Sequence, residues 1–398
     1  MKKLFFLPFA LLFVCFHCPE KNNKYGDVGK RLASEAPHVI VGAEQLSLLL
    51  PKLNDKRVAL VVNNTAVVGK KHLADTLKDL GVNLKKILAP EHGFRGNADA
   101  GEHVNDSVDQ KLGIPIVSIY GKSRKPSAKQ LEDVDIIIFD IQDVGVRFFT
   151  YTSTMHYLME ACAENNKKLI ILDRPNPNGS YIDGPVLEPE FKSFLGLNPL
   201  PLVHGLTVGE LAQMINGEGW LEDGKPCALE IIPLRNWKHE DSYSLPIKPS
   251  PNLPNDQAIK LYPSLGLFEG VNISVGRGTQ MPFQILGHPD FKDMPFQFTP
   301  ASIEGMSKNP PFQDKVCHGI DLRNVKVEPK VDLSYLIKLY QAFPDKQKFF
   351  NSGFNAHAGN AKLKEQIISG TSEDDIRKTW QSDLEKYKII RRKYLLYE

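Results

Sequence analysis

Three apolar runs in the first half of the chain each release charged side chains where they end. Leu84-Lys-Lys-Ile-Leu-Ala89 leads into Glu91-His-Gly-Phe-Arg-Gly96, and Ile136-Ile-Ile-Phe139 into Asp140-Ile-Gln-Asp143 with Arg147 close behind. Leu169-Ile-Ile-Leu172 leads into Asp173-Arg-Pro-Asn-Pro177. Carboxylates gathered at one edge can do general acid–base work. Glycoside hydrolysis is one such chemistry: a protonated carboxyl assists the leaving oxygen while a group opposite delivers or stabilises the attacking species. Glu91, set in a glycine turn beside His92, is the candidate acid. Asp140, Asp143 and Asp173 are candidates to polarise water, bind hydroxyls or hold Arg147. Any one of them alone reads equally well as a helix cap or an ion-pair partner. All of them together at strand ends read better as a site.

Arg95, Arg147, Arg174 and Arg277 lie in the same kind of polar segment. Arginine makes bidentate bonds to carboxylates, so these side chains suit either an anionic substrate or a neighbouring aspartate. The two readings weigh about equally. Gly270-Val-Asn-Ile-Ser-Val-Gly-Arg-Gly278, preceded by Glu269, is glycine-rich, and glycine lets backbone approach a ligand closely. Glu269, Asn272 and Arg277 are therefore candidates to complete a cleft from the second half of the chain, although a turn without a ligand fits the spacing as well. His92, Glu102, Asn176 and His204 complete the candidate substrate-binding set.

These residues need elements to hold them. Strand-like runs at 57–62, 84–89, 115–120, 136–139, 169–172 and 229–234 alternate with helical patterns at 71–80, 127–133, 152–165 and 207–215. Thr152 or Ser153 is the expected N-cap of the third helix. Such alternation predicts an α/β fold: a mostly parallel sheet with helices on both faces. Ligands of such sheets bind outside the carboxyl ends of the strands, where the charged groups sit. Composition shifts near Trp237 to stretches rich in Pro, Asn and Gly, expected to be long shaped loops, and then to helical patterns at 333–343, 361–369 and 372–397. The expected division is 38–237 for the sheet domain and 238–398 for a smaller C-terminal domain.

The 49 Lys and Arg nearly balance the 47 Asp and Glu, so no large basic face argues for nucleic acid. Lys2-Lys3 followed by an apolar run from Leu4 to Phe16 has the layout of a secretory signal, too short to span a membrane comfortably. Residues 1–24 are read as that signal plus a polar tether, which predicts an exported protein, periplasmic or membrane-anchored. Cys15 and Cys18 leave lipid anchoring and simple cleavage both open. Cys162, Cys227 and Cys317 are too widely spaced for a disulfide framework or a zinc site, and Cys162 reads as core. Asn63-Asn-Thr-Ala-Val-Val-Gly69 lacks the dinucleotide glycine fingerprint. Gly121-Lys-Ser123 matches only the end of a phosphate loop, with Ile116 where its first glycine belongs. There is no Gly-x-Ser-x-Gly elbow and no His-Glu-x-x-His pair, so neither a cofactor nor a metal is expected.

Taken together, Glu91-His-Gly-Phe-Arg-Gly96, Phe139-Asp-Ile-Gln-Asp-Val-Gly-Val-Arg147, Leu172-Asp-Arg-Pro-Asn-Pro177 and Pro249-Ser-Pro-Asn252 resemble one family. The likeness continues through His204-Gly-Leu-Thr-Val-Gly-Glu210, Glu269-Gly-Val-Asn-Ile-Ser274, Gly276-Arg-Gly-Thr279 and Arg392-Lys-Tyr-Leu-Leu-Tyr397. The family, long a domain of unknown function, contains the NamZ-type exo-β-N-acetylmuramidases. The resemblance implies a Rossmann-like sheet domain, a smaller C-terminal α+β domain and a site in the cleft between them. It also implies release of terminal β-linked N-acetylmuramic acid from peptidoglycan fragments, with Glu91 as acid and an arginine on the lactyl carboxylate. Where the family pattern has Thr and Glu in the glycine-rich segment, this chain has Val271 and Val275. Two rival readings are a non-catalytic envelope lipoprotein that binds muropeptides and a metal-dependent hydrolase of another anionic substrate.

Overall fold

The computed structural model describes residues 1, 38–91, 93–94, 106–121 and 124–398. The expected export signal, with Cys15 and Cys18, lies outside the described residues. Val39–Glu398 forms one compact unit. Its centre is a seven-stranded sheet in the order Ala228–Ile232, Lys168–Leu172, Ile136–Asp140, Val58–Val62, Leu84–Ala89, Ile114–Ser118, Ser107–Asp109. All neighbours pair in parallel except the last two strands. The chain starts at Val58–Val62, steps outward twice on one side, then returns to Ile136–Asp140 on the other. This is the doubly wound order of a Rossmann-like sheet, with its reversal between those two strands.

Alternation along each strand divides the core into two layers. Ala59, Val61, Ile137, Phe139, Leu169 and Ile171 face helices Tyr151–Glu164 and Val208–Gly217 through Met155, Leu158, Cys162 and Leu211. Val58, Leu60, Val62, Ile136, Ile138 and Leu172 face helices Leu46–Leu53 and Leu73–Asp79 through Leu49, Leu53, Leu73 and Leu77. The strands read as continuous apolar runs because both faces are covered.

Beyond the sheet stand a three-stranded antiparallel sheet, Ile285–His288, Cys317–Asp321 and Phe296–Phe298, and a set of helices. The region expected to be loops contains helix Asp256–Leu265, whose first turn is capped by Asn255 Oδ1 accepting from Ala258 N. Pro263 sits inside that helix and the preceding prolines masked its pattern. The single helix expected at 372–397 is two, Glu373–Lys378 and Gln381–Arg391. Among the described residues no helix is long and apolar enough to cross a membrane.

Candidate functional site

The strand Leu84–Ala89 ends at the sheet's carboxyl edge, and Pro90 and Gly93 (φ +73°) turn the chain so that half-buried Glu91 faces outward. Both carboxylate oxygens of Glu91 are held by hydroxyls. Tyr120 Oη donates to Oε1 at 3.0 Å and Thr150 Oγ1 to Oε2 at 2.6 Å. Tyr151 Oη donates to the Glu91 carbonyl at 3.4 Å. Thr150 is the N-cap of helix Tyr151–Glu164, in place of the expected Thr152 or Ser153. Its side chain makes no cap bond because it is committed to Glu91. Burial and the Glu91 carboxylate push the Tyr120 hydroxyl well above the usual phenol range, so it stays a donor.

Glu91 opens into a cleft of about 520 Å³, within the common range for small-molecule sites. One wall is aromatic: Phe148, Phe149, Phe194 and Tyr262. The polar lining includes Ser193, Ser250, His357, Arg124 and the pair Glu269–Arg277. Arg277 donates through Nε at 2.9 Å and lies 2.7 Å away through Nη2, both to Glu269 Oε1. Its guanidinium also sits 5.1 Å from the Phe283 ring centroid. Burial alone would lower its pKa, but the Glu269 carboxylate, with Glu91 further off, raises it. Arg277 is therefore a fixed cation in the same cleft as Glu91.

Several expected site residues are elsewhere. Asp140 is 0% exposed and takes a bidentate bond from Arg174, Nε at 2.5 Å and Nη2 at 3.0 Å. That buried pair closes on itself, leaving neither partner for substrate. Asp173 is also fully buried, accepting from Thr207 Oγ1 (2.7 Å), Gly209 N (2.8 Å) and Tyr397 Oη (2.6 Å). It fastens the start of helix Val208–Gly217 and the end of the chain. Arg147 is 1% exposed and donates to the carbonyls of Pro185, Leu200, His357 and Ala358. Burial pulls its pKa down to about 9, which still leaves it cationic at neutral pH. Asp143 accepts from Gly145 N at 2.6 Å and stands 3.7 Å from His204 Nε2, both buried. Gly145 (φ +76°) has no room for a Cβ against the Asn176 side chain. Asn176 itself is spent on Leu206 O and Asn178 N. These buried groups are not among the described residues that line the cleft.

Among the sequence candidates, Glu91, Glu269 and Arg277 are brought together. Asn272 lines a neighbouring cavity of about 320 Å³ that shares Glu269 and Arg277 with the cleft and includes the buried Val271 and Val275. His92, Arg95 and Glu102 lie outside the described residues. The sequence reading missed Tyr120, Thr150, Tyr151, Tyr262 and His357, for hydroxyls and rings carry no charge pattern. Ser250 stood inside a quoted motif without being singled out. A triad of acids, Glu160, Glu164 and Glu222, is close enough to hold a cation, but the ammonium of Lys125 bonds to each of them.

The two halves of the chain match two family models in succession. Residues 58–257 match the N-terminal model of the exo-β-N-acetylmuramidase NamZ and residues 260–397 its C-terminal model. The chain is 38% identical over 394 residues to the peptidoglycan β-N-acetylmuramidase NamZ of Bacillus subtilis (strain 168), covering 92% of this chain and 94% of that one. Two crystal structures of DUF1343 family proteins from Bacteroides fragilis NCTC 9343 are also similar. The first has a TM-score of 0.85 at 47% identity, covering 91% of this chain and 99% of the other. The second has 0.78 at 31%, covering 90% and 99%.

Proposed function

The chain belongs to the NamZ exo-β-N-acetylmuramidase family, and we propose that it removes terminal non-reducing β-linked N-acetylmuramic acid from peptidoglycan fragments, with Glu91 as the acid. The observation that carries this reading is the Glu91 carboxyl group, held by Tyr120 and Thr150 at the mouth of an aromatic-walled cleft. A general acid must be held within hydrogen-bond reach of the leaving oxygen. The two hydroxyls support that role by fixing both oxygens of one carboxyl group at the cleft, and one of them turns to accept when Glu91 carries its proton. Glu91 protonates the glycosidic oxygen as the bond to the anomeric carbon breaks. The water that adds there, directly or after the substrate's acetamido oxygen has held the position, returns a proton to the Glu91 carboxylate.

Glu269 is the other carboxylate among the described lining residues. One of its oxygens takes both contacts from Arg277, which fixes the carboxylate where it could face positive charge developing on the sugar ring. Arg277 has further N–H groups to offer the lactyl carboxylate that distinguishes a muramide from a glucosaminide. The aromatic wall suits the apolar face of a sugar ring. The basic, apolar N-terminal segment supports export to the periplasm or the outer face of a membrane, where such fragments arise.

The test is release of a chromophore from a β-N-acetylmuramide and from its N-acetylglucosamine counterpart by the purified protein. Release from the muramide, with the glucosaminide at least tenfold slower, is expected. Equal rates, or no release from either, would remove this reading.

A further inference from the structure

Tyr262 brings to the aromatic wall of the cleft a hydroxyl that has no part in the acid chemistry of Glu91. It stands on helix Asp256–Leu265 and lines the cleft that contains Glu91. The residue is 6% exposed, and its ring is boxed by edge contacts to Phe148 (5.2 Å between centroids), Phe149 (5.9 Å) and Phe283 (4.9 Å). Rings on three sides fix the direction of the hydroxyl. Phe283, the closest of the three, has φ +55°. A bulky side chain seldom adopts that left-handed backbone, and such strain concentrates at functional sites. The Tyr262 hydroxyl makes no hydrogen bond to any described residue, whereas those of Tyr120 and Tyr151 both do. The Tyr262 oxygen is not sealed in the core but opens to the cleft, where only solvent or a ligand can partner it. A hydroxyl that is clamped, unpartnered and at a cleft wall is set for a partner that arrives from outside.

We propose that the Tyr262 hydroxyl contacts substrate, donating a hydrogen bond to a neutral oxygen of the bound sugar, an acetamido or hydroxyl oxygen. The inference rests on the glycosidase reading and deepens it. A rival role for such a group is that of a phenolate nucleophile, used by some glycosidases. Burial, then the nearby Glu269 carboxylate, opposed by Arg277 and reinforced by Glu91 and Asp143, holds the Tyr262 pKa well above the ordinary phenol range. The hydroxyl therefore keeps its proton and acts as a donor.

The test compares wild type with Y262F in kcat and KM on the chromogenic muramide, in affinity for free N-acetylmuramic acid, and in melting temperature. Removing a hydroxyl that has no protein partner leaves the melting temperature within about 2 °C, while kcat/KM falls about ten- to a hundredfold. Unchanged kcat/KM would overturn the proposal. So would a melting temperature lowered by many degrees, which would make the hydroxyl structural. Complete loss of turnover in a stably folded Y262F would make it a nucleophile instead of a donor. If the wild type itself does not cleave the muramide, the glycosidase reading fails. The sugar titration then decides: weaker binding by Y262F sustains the contact, and equal or absent binding ends it.

Discussion

At the scale of single residues, burial separates two kinds of carboxylate in this chain. Glu91 is half-buried, bonded to two hydroxyls and open to a cleft. Asp140 and Asp173 are sealed and serve structure. Asp173 has a measurable signature. Burial outweighs its hydrogen bonds from Tyr397, Thr207 and Gly209 and pushes its pKa up to about 6, against ~3.9 in an unfolded chain. A carboxyl group raised on folding favours the native state below the unfolded value and loses that contribution as pH rises through the folded one. Asparagine does not titrate. The melting temperature of wild type minus that of D173N should therefore fall between about pH 4 and pH 7. A difference that is flat or rises over that window would show that Asp173 does not bind its proton as described. In the sequence Asp173 and Glu91 looked alike, each a charge after an apolar run. What tells them apart is Thr207 and Tyr397, distant partners that no local spacing announces.

At the scale of elements, the strands were legible and the positioning of the cleft was less so. Apolar runs and their end charges located four of the six parallel strands to within about a residue, since strands covered on both faces leave a dense apolar signature. The strand at 114–118 and the helix expected at 71–80, which runs Leu73–Asp79, were displaced by a residue or two because short polar hairpins adjoin them. The strand expected at 229–234 ends two residues early, and helix Leu46–Leu53 was not expected. Helix Asp256–Leu265, which carries Tyr262, was hidden by its prolines. Arg147 shows how far apart in sequence the supports lie. From a turn after the strand Ile136–Asp140 it reaches the last carbonyls of helix Phe354–Ala358, whose residues Ala356 and His357 line the cleft. Methionine in its place would leave buried carbonyls unpaired and free the helix end. R147M should lose about 3 kcal/mol or more of stability, read by denaturant unfolding. A loss under about 1 kcal/mol would mean that the carbonyls find other donors.

At the scale of the whole molecule, the carboxyl edge of a doubly wound sheet meets helices and loops from the second half of the chain, and the cleft draws on both. Glu91, Tyr120 and Thr150 come from the sheet edge, while Tyr262, Glu269, Arg277 and His357 come from beyond it. The sheet edge was visible in sequence because charge follows strand there, and Arg277 was visible because glycines flank it. The convergence of the two groups depends on packing across one continuous core, which a linear pattern does not encode. Glu91 is the residue on which the proposed chemistry depends. The most direct measurement is turnover of the chromogenic β-N-acetylmuramide by E91Q beside wild type, with affinity for N-acetylmuramic acid measured on both. Glutamine keeps the shape, accepting from one of the two hydroxyls through its oxygen and donating to the other through its amide nitrogen, but has no acidic proton to give to the leaving oxygen. Turnover is expected to drop by about a thousandfold with sugar affinity kept within a few-fold. Turnover of E91Q within tenfold of wild type would contradict the assignment of Glu91 as the acid.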